Sequence, residues 1–288
     1  MKIALGTAQF GLDYGVSNVA GRVSAEEVAR ILGTAHSAGV RVLDTAWAYG
    51  DAERVLGELR AAERFEIITK TAPLDEGGPR SVAARVRESF ARLGGVPIHG
   101  LLAHHAGDLL GAEGPQIAAM MRGFRTGGEV ERIGVSAYTG QDLFAALEVL
   151  GDVDFVQVPT NVLDQRFVTS GAFAKLKARN VEVHIRSAFL QGLLLMDPED
   201  APEYFEPIRG HLAVWRSFCE ARELSPLAAS LGFVTGLAEV DQVVVGVESA
   251  EQLTQVLSAA APLGSTEYAR LALNDQAFID PSRWQVAR

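Results

Sequence analysis

The sequence predicts an α/β fold: one (β/α)8 barrel over residues 1–288, with its functional side chains at the C-terminal ends of the strands. Three observations lead there. Short apolar runs alternate with longer amphipathic ones about eight times along the chain. The short runs are too continuously apolar for a sheet with one wet face, as strands covered on both sides must be. No linker, composition break or short-period repeat divides the chain. A doubly wound sheet is the alternative, but Gly6-Thr7-Ala8-Gln9-Phe10-Gly11 only loosely matches Gly-x-Gly-x-x-Gly.

The first strand is read at Ile3 to Gly6, almost at the N-terminus. The helix Ser24 to Ala38 follows, with Ser24 as N-cap, Glu26 and Glu27 in the first turn, and Gly39 as its stop. The second strand, Val40 to Leu43, leads to a helix from Asp51 to Leu59. Glu66 to Thr69 and Gly100 to His104 are the next strands, separated by the helical pattern Ser81 to Leu93. The helix Pro115 to Thr126 precedes the strand Arg132 to Val135, and Gln141 to Leu150 precedes Phe155 to Val158. Gly171 to Arg179 then leads to the strand Val181 to Ile185. After a long loop and a helical-looking run at Trp215 to Arg222, the helix Pro226 to Phe233 leads to the last strand, Gln242 to Val245.

Hydrophobic residues make up 48% of the 288 and charged ones 22%, which is ample material for a core. A net charge of -10 argues against nucleic acid as a partner. Cys219 is the one cysteine, so no internal disulfide forms, and a buried, inert thiol is expected. The start of the chain lacks a signal-peptide core, and no apolar run is long enough for a bilayer. The cytoplasm is the expected compartment; neither a membrane nor a metal is expected.

Chemistry concentrates where strands end. Val42-Leu43 runs into Asp44, and Tyr49 and Gly50 follow within a few residues. Alone, such an acid reads equally well as a strand end that caps the next helix. Two later ends change the balance: Glu66-Ile67-Ile68-Thr69 closes on Lys70, and Gly100-Leu101-Leu102-Ala103 closes on His104. Asp, Tyr, Lys and His in this order, at three successive strand ends, resemble the tetrad of the aldo-keto reductase superfamily. The resemblance extends over the whole chain.

It implies carbonyl reduction with a nicotinamide dinucleotide, and Tyr49 as general acid/base. A free phenol titrates near pH ~10, so a Lys70 ammonium is expected to lower the Tyr49 pKa, Asp44 to hold Lys70, and His104 to orient the carbonyl. His105 is expected to line the substrate pocket, with Phe10, Trp47 and Trp284 as an apolar wall.

The cofactor residues are likewise implied by the resemblance. Gly6, Thr7 and Asp44 lie at the first two strand ends. Gly127 to Ser136 resembles the run into the family's fifth strand, with Ser136 on the nicotinamide amide and Ala137 where many members have Asn. Phe155 to Asn161 resembles the sixth, with Gln157 on the same amide. Arg186-Ser187-Ala188-Phe189-Leu190-Gln191-Gly192 resembles the segment beside nicotinamide and pyrophosphate. Arg186 replaces a common aromatic and is expected against the nicotinamide face, while Ser187, Leu190 and Gly192 line the phosphates. Beyond Gly246, Glu248 stands where members often present a cation to a 2'-phosphate, and Gln252 is assigned to the adenine. NADP(H) is the first expectation, and NAD(H) stays open because of Glu248.

A small-molecule carbonyl or sugar is the expected substrate. Asp280-Pro281-Ser282-Arg283-Trp284 resembles bacterial members associated with sugar and polysaccharide metabolism. The acids of the loop after Gly192 (Asp197, Glu199, Asp200, Glu203 and Glu206) read as a solvated surface. Two other classes stay open: a cofactor-binding redox sensor or scaffold, like the superfamily's potassium-channel beta subunits, and a barrel isomerase using Lys70 as a Schiff-base amine.

Overall fold

In a computed structural model describing residues 2–18, 20–259 and 266–285, the strands close on themselves. The ends of the expected 1–288 unit thus lie partly outside the described residues. β1 (Ile3–Gly6), β2 (Val42–Asp44), β3 (Glu66–Lys70), β4 (Ile98–Ala103), β5 (Val130–Ser136), β6 (Phe155–Pro159), β7 (Glu182–Arg186) and β8 (Gln242–Gly246) pair in sequence order. All neighbours are parallel, and β8 returns to β1 through Ile3–Val243 to Gly6–Gly246. This is the (β/α)8 barrel that the alternating pattern predicts.

Side chains alternate between the two surfaces of the barrel wall. Leu5, Leu43, Ile67, Leu101, Ile133, Val156, Val183 and Val243 face outward into one continuous core with the helices. Ala4, Val42, Ile68, Leu102 and Phe155, with Val244 against them, form a separate apolar layer inside the barrel. Two residues further along the same six strand lines come Gly6, Asp44, Lys70, His104, Gln157 and Gly246. A polar ring therefore sits directly on an apolar plug, at the C-terminal mouth.

The helix Ala25–Ser37 begins as its Ser24 cap predicts, and two later helices carry side-chain caps of the same kind. Ser24 accepts from the Glu27 amide ahead of Ala25–Ser37, and Thr139 from that of Asp142 ahead of Gly140–Leu150. Ser225 does the same for Pro226–Thr235, where proline takes the first turn. Several boundaries shift by one to three residues: β4 and β5 begin earlier than expected, β7 runs on to Arg186, and Val40 is outside β2, because its amide bonds to Ala35 O at 3.0 Å and closes the preceding helix. The helical reading at Trp215 lengthens to Arg209–Glu220, which buries Leu212, Trp215, Phe218 and Cys219. Burial pushes the Cys219 thiol up to about 11. Among the described residues, no helix is long and apolar enough to cross a membrane.

Candidate active site

Asp44 ends β2 and Lys70 ends β3, and both are almost wholly buried. Lys70 Nζ lies 2.6 Å from Asp44 Oδ2, 2.9 Å from Thr45 O and 3.4 Å from Tyr49 Oη. The three ammonium hydrogens thus have three acceptors. Asp44 is held from the other side by Gln157 Nε2, donating to Oδ1 at 2.7 Å.

Tyr49 is fixed by its loop. Its amide donates to Ala46 O and its carbonyl accepts from Ala52 N. The loop after β1 packs onto it so closely that a Cβ on Gly11 would lie 1.9 Å from Tyr49 O. Gly50 faces Gly11 in turn, with φ of 56° and only 2.4 Å from an added Cβ to Gly11 O. His104 lies edge-on to the Tyr49 ring at 6.0 Å and stacks on His105 at 4.7 Å. The four residues expected together are together.

Burial dominates the electrostatics of Tyr49, Lys70 and His104. It pushes the Tyr49 phenol well above its ordinary range; Asp44 adds to the shift and Arg186 opposes it. Lys70 does not bring the phenol down overall, which corrects the sequence expectation. Lys70 is itself lowered by burial, against the pull of Asp44. Burial first, then the charges of Lys70, His105 and Arg186, lower His104 to about 2. His104 is therefore a neutral imidazole at ordinary pH, with a buried Nδ1 that has no partner among the described residues. A protonated phenol beside a neutral imidazole can donate a proton to, and hydrogen-bond, one carbonyl oxygen.

Tyr49 and His104 open onto a cavity of ≈ 460 Å³ that runs past Ser136, Gln157 and Arg186 to Gly246, Glu248 and Gln252. Gly6, Thr7, Asp44, His105, Ser187 and Gly192 line it as well. Val16 N donates to Gln191 O at 3.0 Å, joining the loops after β1 and β7. Gly192 permits that contact, since a Cβ there would meet Ser17 Oγ at 2.0 Å. The Glu248 amide is capped by Gln252 Oε1 at 2.8 Å, and burial raises the Glu248 carboxyl.

Several placements differ from expectation. Leu190 is wholly buried in the core and does not line the cavity, because the backbone turns it inward at φ of 50°. Phe10 packs in the core between helices and barrel. Trp47 turns away from the cavity: its Nε1 donates to Glu88 at 3.1 Å, and Arg85 lies over its ring at 4.9 Å. Trp284 packs edge-on against Phe205 at 4.8 Å and donates to Phe278 O, while Pro281 and Ser282 reach the cavity instead. The three aromatics expected as an apolar wall do not line the cavity; Tyr138, Arg186 and Gln191 do, beside apolar residues such as Phe189, Leu195 and Leu227. Arg186 stacks on Tyr138 at 4.0 Å. Asn161 is committed to its own turn, accepting from the amides of Leu163 and Asp164.

Gln9, Tyr14, Tyr138, Phe189 and Gln191 also line the cavity and were not singled out from the sequence. Tyr138 had a usable signal, as it stands two residues beyond the end of β5. Phe189 and Gln191 lie inside the segment that the resemblance places beside the cofactor, whereas Tyr14 had no signal, because only loop geometry brings it over the mouth.

The residues present suit an extended dinucleotide. One continuous cavity joins Asp44, Tyr49 and His104 to a mouth edged by backbone, polar side chains and the Glu248 carboxyl, and a glycine lets the two covering loops meet. The profile of the Aldo/keto reductase family matches residues 2–273. Among solved structures, the chain is similar to the holo form of aldo-keto reductase AKR11C1 from Bacillus halodurans. There the TM-score is 0.75 at 18% identity, over 98% of this chain and 95% of that one. It is also similar to the glycerol dehydrogenase AKR11B4 from Gluconobacter oxydans, with TM-score 0.71 and 20% identity, over 97% and 92% of the two chains. A search of curated proteins gave no match. The chain belongs to the aldo/keto reductase family and is an oxidoreductase of NAD(P)-dependent carbonyl reduction.

Proposed function

We propose, from this membership, that the protein reduces an aldehyde, ketone or sugar carbonyl to an alcohol, or runs the reverse. Tyr49 is the general acid/base in this reading, and NAD(H) the favoured cofactor. The observation that carries it is the single ammonium bonded to both Asp44 and the Tyr49 phenol, beside a neutral His104 at the cavity floor.

The reduced nicotinamide, when bound, supplies a hydride to the carbonyl carbon. His104 receives the carbonyl oxygen in a hydrogen bond and turns it toward Tyr49. As negative charge grows on that oxygen, Tyr49 Oη gives up its proton. Lys70, already 3.4 Å away, then shortens its bond to the phenolate. Asp44 keeps Lys70 charged and in place. The raised phenol keeps Tyr49 protonated at rest, loaded for reduction. Ser136 and Gln157 are assigned to the nicotinamide end, and Ser187 and Gly192 to the phosphates.

Cofactor choice turns on the β8 end. The resemblance favours NADP(H), but the local residues favour NAD(H). Glu248 lines the cavity there, and Arg186 is the one lysine or arginine among the described lining residues, on β7. A carboxylate repels a 2'-phosphate and accepts from ribose hydroxyls.

The test combines titration of the purified protein with NADH and NADPH and aldehyde-dependent oxidation of each. In Tyr49→Phe, turnover should fall by roughly 10²–10⁴-fold while NADH binding changes only a few-fold. Binding of neither cofactor sinks the whole reading. Tighter NADPH binding sinks the role given to Glu248 alone.

A further inference from the structure

Arg186 brings a positive charge into a cavity whose other charges are arranged without it. It is the last residue of β7 and lines the same cavity as Asp44, Tyr49, His104 and Gln157. Pro159 on β6 is its register partner. Other partly buried arginines find acceptors: Arg132 pairs with Glu182 at 2.9 Å and Arg166 with Asp164 at 2.7 Å, while Arg122 donates to Leu150 O at 2.9 Å. Arg186 pairs with no carboxylate among the described residues. Its one side-chain hydrogen bond among the described residues is a long one, Nη1 to Ser187 Oγ at 3.5 Å.

The two carboxylates of the cavity do not serve it. Asp44 is taken up by Lys70 and Gln157, and Glu248 stands beyond the end of β8, bonded to neither. Tyr138 holds the guanidinium by its flat face at 4.0 Å. Stacking leaves the in-plane N–H edge open apart from the long Nη1 contact to Ser187, and that edge is the one that matches a carboxylate or phosphate. A half-buried guanidinium without an anion bears a desolvation cost that an arriving anion removes. The charge is felt at the reacting groups, since it shifts Tyr49, Lys70 and His104 alike. In a chain of net charge -10, such a cation is a selective feature.

We propose that the substrate is an anionic carbonyl compound, whose carboxylate or phosphate is held by Arg186 on its Tyr138 platform while its carbonyl lies at Tyr49 and His104. The inference rests on the carbonyl-reductase reading and narrows its substrate class; the chemical step is unchanged. The same N–H edge could instead face the dinucleotide pyrophosphate, and the experiment separates the two sources.

The wild type, Arg186→Gln and Arg186→Lys are assayed with 5-oxopentanoate and pentanal, which differ by a carboxylate in place of a methyl group. In parallel, NADH is titrated into each protein, and the NADH-saturated proteins are titrated calorimetrically with 5-hydroxypentanoate and 1-pentanol. A charge-assisted pair predicts a kcat/KM ratio favouring the anion by roughly 10–100-fold in the wild type. That ratio should collapse toward unity in Arg186→Gln and recover in part in Arg186→Lys, with binding of 5-hydroxypentanoate following the same order. Equal use of both aldehydes by the wild type overturns the proposal. So does a Gln variant that loses NADH affinity while keeping the ratio, which would assign Arg186 to the pyrophosphate. If the aldehydes are not turned over, failure of 5-hydroxypentanoate to bind better than 1-pentanol overturns it too. Failure of NADH itself to bind would instead strike the hydride-transfer reading.

Discussion

The two ends of the cavity are built by different means. At the reacting end, Asp44, Lys70, His104 and Gln157 sit two residues beyond an inner apolar layer, on backbone fixed by the barrel ladder. Their charges meet inside the protein, with Lys70 on Asp44 and Gln157 behind it. The far end is made of loops. Ser187, Leu190, Gln191 and Gly192 all have positive φ, and the loops after β1 and β7 meet through backbone contacts. Non-glycine residues in that region carry strain of order 1–3 kcal/mol each, so contacts around the loop must hold it. The first end is preorganised by the fold and should govern the chemical step; the second should govern binding.

Substitution at Lys70 tests that division most severely. Lys70→Met leaves Asp44 buried with only Gln157 as a partner. Breaking a buried pair from one side costs about 3–5 kcal/mol, so a clear loss in denaturant midpoint is expected. Turnover should fall at least ~100-fold, with NADH affinity changed much less. Parallel losses in turnover and affinity, measured by stopped-flow and titration, would erase the distinction between the ends.

Gly192→Ala probes the other end. The added Cβ meets Ser17 Oγ, and φ is 95°. The loops should separate, weakening NADH binding by ~10-fold, a cost of ~1.4 kcal/mol. Turnover at saturating cofactor should change less than that. A variant with normal affinity would show that the loop junction has no part in binding.

The smallest effect concerns pH. His104 is lowered to about 2 in the fold, against an unfolded value near ~6.5. As pH drops below the unfolded value, the unfolded chain takes up a proton that the native site refuses. The His104 contribution therefore favours folding least in acid, falling by about 1.4 kcal/mol per pH unit below that point. Urea unfolding at pH ~7.5 and ~5.5 should show a smaller acid loss in His104→Gln than in the wild type. An equal loss would mean that His104 is protonated in the native state.

The catalytic ends of β2, β3 and β4 were legible because chain order and spatial order coincide in a parallel barrel. A polar residue just past an apolar run must arrive at the mouth. Asp44, Lys70 and His104 follow Val42, Ile68 and Leu102 by two, and the pleat does the rest. Large aromatics near the site were not legible in the same way. Phe10, Trp47 and Trp284 lie on turns or short helices, where one residue of rotation decides between cavity and core. Each found a better burial or hydrogen-bond partner elsewhere.

The sequence by itself determined the alternation of strands and helices, the caps that begin the helices and the order of polar strand ends. These depend on periods of two and 3.6 residues and on local hydrogen bonding. Tertiary structure alone decided that Arg186 would rest on Tyr138, that Gln157 would brace Asp44 across the barrel, and that the loops after β1 and β7 would meet. It also decided the direction of the Tyr49 shift, because desolvation depends on everything packed around the phenol, and the sequence names only the charges beside it.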